Sequence, residues 1–225
     1  MQFEKGYLYH IYNQGNNQRD VFFNTENHLF FLKKIKKFIL PYADIIAWCL
    51  MPNHFHLMVL VREEKIPIIE NTTTTQSNSN TVTQSHGVTK SENDTKTQSH
   101  GVTKTNSIKT RTFNDSIGIM LRSYTRAINK QENFSGKLFR EKTKAECINC
   151  PEGATPSFIG SKINIQNPEE QYPQVCFDYI HQNPVKAKLV EKETDWEFSS
   201  TKDYANIRNG KLVNKTVAFE YINYG

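Results

Sequence analysis

The residues best suited to chemistry lie within residues 47–61, where two apolar runs meet at a Pro-Asn pair. The second run is rich in aromatic and β-branched residues, so the segment predicts a β-hairpin. Residues two apart in a strand project from one face, so His54 and His56 point together while Phe55 and Leu57 enter the opposite core. Two imidazoles can bind one divalent ion, which then needs a third ligand from elsewhere. Two hydrogen-bonded histidines on a half-buried strand are an equally good interpretation of this pair alone.

A second candidate group lies on a helix predicted near residues 172–185. Pro173 suits a first helical turn, and Pro184 disfavours helical geometry at the residue before it, so the helix is predicted to end near Asn183. Tyr179 and Asn183 are four residues apart and share one face. If that face packs over the two histidines, the Asn183 oxygen becomes the third ligand and the Tyr179 hydroxyl a nucleophile beside the ion. Otherwise, Tyr179 is a core aromatic with a polar tip and Asn183 a helix cap.

Cationic side chains on two further elements could meet phosphate. Residues 137–148 predict a strand with Arg140, Lys142 and Lys144 on the same face as Leu138, and such a row supplies the donors that phosphate oxygens accept. An ordinary solvated strand face explains the same row.

Two more helices and a first strand must position these groups. Residues 7–12 predict the strand, and a helix is predicted to begin at Asn24 or Thr25, with Lys33 and Lys37 on its basic outer face. A solvated face is again the alternative for these lysines.

The second helix, residues 117–130, carries Tyr124 on its apolar side. Tyr124 is the rival nucleophile. It ranks lower than Tyr179 because Ile128, which cannot be a ligand, lies four residues later.

Composition narrows the class of protein. The chain has 225 residues, with 28 Lys plus Arg against 23 Asp plus Glu and a pI of about 8.9, which permits a polyanionic partner without requiring one. No span reaches the ~18 consecutive apolar residues of a membrane helix, and the N-terminus lacks a signal-like pattern. A soluble, cytoplasmic protein is expected. The four cysteines are too few for a disulfide scaffold and are expected to stay reduced.

Two stretches differ from the rest in composition. Residues 71–110 contain no aromatic residue and carry the octet Thr-Gln-Ser-His-Gly-Val-Thr-Lys as a direct repeat, so they are predicted to form a disordered insertion. Residues 148–171, which hold several Pro and Gly, are predicted to form an irregular surface insertion. The predicted domain comprises residues 1–70 and 111–205, followed by a tail at 206–225.

A series of short motifs resembles the REP-associated tyrosine transposases, relatives of the small single-strand transposases with a His-hydrophobe-His motif. The resemblance spans about residues 5–205 apart from the two insertions, and several motifs in the family's order are far more specific than one. They are Tyr9-His10-Ile11, Gly15-Asn16-Asn17, Met51-Pro52-Asn53-His54-Phe55-His56-Leu57, Gly136-Lys137-Leu138-Phe139, Tyr179-Ile180-His181-Gln182-Asn183-Pro184-Val185 and Asp195-Trp196-Glu197-Phe198-Ser199-Ser200.

The resemblance implies a single α/β (α+β) domain of ferredoxin-like type, an antiparallel sheet with helices on one face. It implies that His54, His56 and Asn183 hold a divalent ion, Mg2+ or Mn2+. Tyr179 would attack phosphorus to give a 5′-phosphotyrosine and a free 3′-hydroxyl, and a second strand's 3′-hydroxyl could reverse that step. His181, on another face of the helix, is expected to be structural or to face DNA.

The implied substrate is single-stranded DNA with a hairpin, cut and rejoined during DNA transposition. Arg140, Lys142, Lys144, Lys33 and Lys37 are expected to contact its phosphates. A monomer and a homodimer are both compatible with the sequence.

Other classes of protein are weighed by the same motifs. A catalytically silent hairpin DNA-binding module would not need the two histidines, Tyr179 and Asn183 together. A histidine-triad nucleotide hydrolase would need a histidine where Met58 stands. A two-histidine phosphodiesterase would need a second His-x-Thr or His-x-Ser motif, which is absent, and a replication nickase usually has a longer chain.

Overall fold

The structure, a computed structural model, describes residues 2–68, 109–150 and 168–224, with no side-chain detail for 168–170. The chain divides into one compact unit, Met1–Ile66 with Arg111–Gly225, and a second unit, Pro67–Thr110. Most of both predicted insertions lies outside the described residues, so their predicted disorder and irregularity stay predictions. No helix in the described part of the chain is long and apolar enough to cross a membrane.

The described elements form one main sheet and five helices. In chain order the elements are β1 (Leu8–Gln14), α1 (Thr25–Phe38), β2 (Ala43–Met51), β3 (His54–Val61), β4 (Lys65–Pro67), β5 (Thr110–Thr112), α2 (Phe113–Gln131), β6 (Lys144–Cys147), α3 (Pro168–Lys186), α4 (Thr201–Tyr204) and α5 (Lys215–Ala218), with short 3-10 turns at Asn16–Gln18 and Glu193–Asp195. The main sheet is antiparallel with strand order β2-β3-β1-β6, and β4 pairs with β5 in a separate ribbon.

The hairpin formed by β2 and β3 is the predicted one. β2 and β3 are joined at the Pro-Asn turn, with Met51 opposite His54 and Leu50 opposite Phe55. β1 lies on the other side of β3 and places Ile11 opposite Leu57. This register puts alternate side chains of β3 on opposite faces, as the sequence indicates.

Both faces of the sheet are covered. On one face, Phe55 and Leu57 pack with residues of α1 and α2. On the other face, Cys49 and Met58 pack with apolar residues of α3, among them Phe177. The predicted mixed α/β class, an antiparallel sheet with helices packed on it, is confirmed. The expected placement of helices on one face holds only for α1 and α2, because β2 is apolar on both sides and α3 covers the second.

Helix boundaries follow capping chemistry at the N-termini. Asn24 caps α1 and accepts a hydrogen bond from the Asn27 amide at 2.9 Å, as predicted. The predicted end of α3 near Asn183 is wrong, because the helix continues through Pro184 to Lys186. Pro184 lies in the last turn, where it removes only one N–H donor, and the Ala187 amide still bonds the Asn183 carbonyl at 2.9 Å.

The predicted strand over residues 137–148 is also wrong in its first half, because β6 covers only Lys144–Cys147. Leu138 and Phe139, predicted to lie on opposite faces, are both buried in the core beneath α1 and α2. The segment before β6 therefore lacks strand alternation, and two large apolar side chains share one side of it.

The four cysteines comprise one disulfide and two free thiols. Cys147 and Cys150 form a disulfide, so the expectation of four reduced thiols is wrong for this pair, whose Cα atoms lie 5.8 Å apart where the chain turns after β6. Cys49 and Cys176 are buried free thiols, as expected.

Residues 206–225, predicted to be a tail, pack on the domain, since the Asn214 amide donates to the Ile45 carbonyl of β2 at 2.9 Å.

Candidate active site

A cavity of about 360 Å³ opens on the α3 side of the sheet. It is lined by two histidines, three cations, two tyrosines and two amides: Tyr12, Asn13, Gln14, His54, His56, Arg140, Lys142, Lys144 and Tyr179. Six of these nine residues were predicted as site residues from the sequence. Strand β3 supplies the two histidines and α3 supplies Tyr179. Strand β1 supplies Tyr12 and the two amides, and β6 with the segment before it supplies the cations.

Alternation along β3 brings the two histidines together as predicted. Their ring centroids lie 4.9 Å apart with planes nearly perpendicular, while Phe55 between them is buried on the opposite face. His54 is half-buried and His56 is 4% exposed. Burial lowers the pKa of both side chains, and His10 and His54 lower the pKa of His56 further. Both imidazoles are therefore neutral near neutral pH and keep a nitrogen lone pair.

A hydrogen bond at Nδ1 orients each imidazole. His54 Nδ1 lies 2.5 Å from Asn53 Oδ1, and His56 Nδ1 lies 2.9 Å from His10 Nε2. The remaining nitrogen of His56, Nε2, is buried with no hydrogen-bond partner. An imidazole engaged through Nδ1 presents Nε2 as the ligand atom, which is how metal-binding histidines are commonly held.

Helix α3 brings the predicted tyrosine and asparagine to the histidines. The Tyr179 ring lies edge-on to His56, with centroids 5.4 Å apart, and is half-buried. The Asn183 side chain hydrogen-bonds both His54 and Tyr179, and its Nδ2 also donates to the Tyr179 carbonyl at 2.7 Å. Burial raises the pKa of Tyr179, and the hydrogen bond with Asn183 opposes that rise. The four residues thus form one group.

Donor chemistry at this group suits a hard divalent cation. Two imidazole nitrogens and an amide oxygen fill part of a coordination shell and leave positions for phosphate oxygens or water. The unpartnered Nε2 of His56 fits a ligand role. Among the described residues, no group of three or more His, Cys, Asp or Glu side chains could hold a metal ion by itself.

Comparison with known proteins gives one structural similarity. No protein-family model matches the chain, and no curated protein matches it. A solved structure of a REP-associated tyrosine transposase bound to a REP hairpin is similar with a TM-score of 0.49 and 14% identity, covering 95% of this chain and 92% of that one. This likeness is too low for that protein's activity to be assigned to this chain.

The predicted cations divide between the two faces of the sheet. Arg140, Lys142 and Lys144 are exposed and line the same cavity as the histidines, although only Lys144 lies in a strand. Lys33 and Lys37 lie on α1, which packs on the other face, and neither lines this cavity. A role in binding DNA stays a prediction for all five.

Two arginines of α2 extend the basic surface and were missed by the sequence reasoning. Arg122 and Arg126 line a cavity of about 510 Å³ that shares Asn13 and Arg140 with the histidine cavity. Their spacing of four residues, on the polar side of a predicted helix, was the available signal. Lys186 was missed too, and its Nζ lies 5.6 Å from the centroid of the Tyr179 ring.

Two predicted alternatives lie elsewhere. Tyr124 is fully buried beneath α1 and its hydroxyl donates to the Val21 carbonyl at 2.8 Å, so the structure does not bring it to the histidines. His181 is also buried, with Nε2 2.7 Å from Ser200 Oγ, which agrees with a structural role.

Proposed function

We propose that this chain is a metal-dependent endonuclease and strand transferase that cleaves and rejoins single-stranded DNA at hairpin sites, with Tyr179 as nucleophile. The observation that carries the proposal is that Tyr179 lines one cavity with His54, His56 and three cations, while Asn183 hydrogen-bonds both Tyr179 and His54. The hairpin and the transposition role rest on the resemblance of the sequence motifs.

The proposed reaction exchanges one phosphate ester for another. The Tyr179 oxygen loses its proton and attacks phosphorus, the bond between phosphorus and the 3′ oxygen breaks, and the released 3′ oxygen takes up a proton, so that no net proton is gained or lost. The products are a 5′-phosphotyrosine and a 3′-hydroxyl. Because the number of ester bonds is unchanged, a second 3′-hydroxyl can attack the phosphotyrosine and restore a DNA strand without a nucleotide cofactor.

His54, His56 and Asn183 would hold Mg2+ or Mn2+. Such an ion offsets charge on the phosphate as the pentavalent transition state forms. Arg140 and Lys144 at the cavity wall supply further positive charge to the phosphate.

The groups around Tyr179 control its proton. A tyrosine hydroxyl is protonated at neutral pH, and burial raises the pKa of Tyr179 further, whereas the Asn183 hydrogen bond favours the phenolate. Lys186 beside the ring adds a positive charge on the solvent side. A nucleophile of this kind is inactive until substrate and cation enter the cavity.

The DNA path follows the two adjoining cavities. Asn13 and Arg140 belong to both, so a strand whose scissile phosphate lies at Tyr179 can continue along Arg122 and Arg126 of α2. Phosphate contacts of this type fix the position of a strand without reading its bases.

A covalent-adduct assay tests the proposal. End-labelled single-stranded hairpin oligonucleotides are incubated with the protein and Mg2+ or Mn2+, and the products are resolved by denaturing electrophoresis. We expect a labelled protein adduct that chelator and His56→Ala abolish. Hairpin binding without any adduct, under all metals tried, would instead indicate the catalytically silent binding module.

A further inference from the structure

A third histidine lies directly behind the candidate metal ligands. His10 of β1 projects from the same face of the sheet as His56, is 1% exposed, and does not line the histidine cavity. Its ring lies nearly parallel to that of His56, with centroids 5.1 Å apart and planes 20° apart. His10 Nε2 lies 2.9 Å from His56 Nδ1, so the two rings share one hydrogen bond.

The shared hydrogen bond has two possible proton arrangements with different consequences. If His10 Nε2 carries the proton and donates it, His56 must carry its own proton on Nε2 and has no lone pair there for a metal ion. If His56 Nδ1 donates to His10 Nε2, His56 Nε2 keeps its lone pair. Only the second arrangement makes His56 a ligand through the nitrogen that is buried without a partner.

We propose that His10 is a positioning residue, which accepts the Nδ1 proton of His56 and so holds His56 Nε2 as a metal ligand. The inference rests on the proposed function, since it concerns the same metal site. It differs from it in assigning a role to a residue that touches neither substrate nor metal.

The surroundings of His10 fix the ring in place. Tyr12 stacks on it with centroids 4.8 Å apart, and the Tyr12 hydroxyl is itself held by Glu146 Oε1 at 2.7 Å. His54 has the equivalent support from Asn53 Oδ1, which can only accept from Nδ1–H. Each proposed histidine ligand thus has its own acceptor behind Nδ1, a carbonyl oxygen in one case and an imidazole nitrogen in the other.

Manganese binding by the full chain tests this role without relying on catalysis. Mn2+ dissociation constants are measured by electron paramagnetic resonance for wild type, His10→Leu and His10→Gln, with thermal unfolding of the same samples. We expect His10→Leu to weaken binding about 10- to 100-fold. His10→Gln retains an oxygen acceptor of similar reach and should restore most of the affinity.

His181→Leu is the matched control. His181 is as buried as His10 and also hydrogen-bonded through Nε2, but to Ser200 Oγ. We expect its loss to lower the unfolding temperature and leave the Mn2+ dissociation constant unchanged. Equal weakening by His181→Leu and His10→Leu would overturn the inference, because a general loss of packing would then explain both.

The two proposals fail in different ways. If wild type does not bind Mn2+, the proposed metal site is wrong and the inference falls with it. If wild type binds Mn2+ and His10→Leu binds it equally well, the inference alone is wrong. Should His10→Leu not fold, long-range 1H–15N correlation spectra of Mg2+-saturated wild type decide the question, since a proton on His56 Nε2 would overturn the inference and a proton on Nδ1 supports it.

Discussion

The two faces of the sheet are built from the same strands and serve different ends. Under α1 and α2, side chains such as Phe31 and Phe55 form an apolar core. Under α3, apolar packing surrounds Met58, three histidine rings lie next to one another, and a nitrogen of His56 is buried without a partner. Burying an unpaired polar atom costs free energy of folding, so the second face retains chemistry at the expense of stability.

Replacing each of two tyrosines, one on each face, by phenylalanine gives the sharpest test of this contrast. Tyr179→Phe should abolish the covalent DNA adduct with little change in unfolding temperature, because the hydroxyl lies at the cavity. Tyr124→Phe should keep the adduct and lower the free energy of unfolding by about 1–3 kcal/mol, because it leaves the buried Val21 carbonyl unpaired. Adduct assays and urea unfolding on both variants check this. An adduct lost only in Tyr124→Phe would reverse the roles of the two faces.

The apolar face should carry the larger share of stability. Phe31 is fully buried among Phe22, Phe55 and Tyr124, on the face of the sheet opposite to the histidines. Phe31→Ala should lower the free energy of unfolding by about 3–5 kcal/mol. Adduct formation per folded molecule should be unchanged, as measured at a temperature where the variant stays folded. A large fall in that ratio would mean that the two faces are coupled.

Lowering the pH should destabilise the protein through the buried histidines of the α3 face. Burial lowers the pKa of His10 and His181 to about 3, from an ordinary value of 6.5. Below pH 6.5 the unfolded chain binds these protons and the folded chain does not, so stability is present above that pH and falls as pH drops toward 3.

Urea unfolding across this pH range checks the sign. We expect His181→Gln to have a shallower loss of stability with acid than wild type, because the proton taken up by His181 no longer contributes. Parallel curves for the two proteins would show that His181 is not kept neutral by burial.

The smallest effect concerns the second cavity. Arg122→Ala and Arg126→Ala should each weaken single-stranded DNA binding and reduce the slope of log affinity against log salt by about 0.7. Lys33→Ala, on α1 and outside both cavities, serves as the comparison. A reduced slope for Lys33→Ala alone would place the DNA along α1, where the sequence predicts one of its two sets of phosphate contacts.

The chemistry of the site was predictable from sequence because it depends on short-range periodicity. A spacing of two on a strand aligns His54 with His56, and a spacing of four on a helix aligns Tyr179 with Asn183. Both patterns survive small errors in element boundaries, so the misplaced end of α3 did not affect them.

What the sequence could not show depends on contacts between distant segments. His10 stands 46 residues before His56 and meets it through the register of β1 against β3, which no local pattern encodes. Leu138 lies in an irregular segment whose direction is set by packing under α1 and α2. The Cys147–Cys150 disulfide is instead a local contact over three residues, formed where the chain turns after β6.

The residues after α3 also decide what the sheet exposes to other molecules. The outer edge of β2 has its hydrogen-bonding groups occupied by the chain's own later segments: Leu50 N donates to the Phe198 carbonyl at 2.8 Å, Ser200 N to the Trp48 carbonyl at 2.9 Å and Asn214 N to the Ile45 carbonyl at 2.9 Å. An unpaired strand edge is a template for intermolecular pairing and aggregation. The segment from residue 198 onward therefore covers the β2 edge. A chain cut short before residue 198 would leave an apolar strand open to pair with another copy.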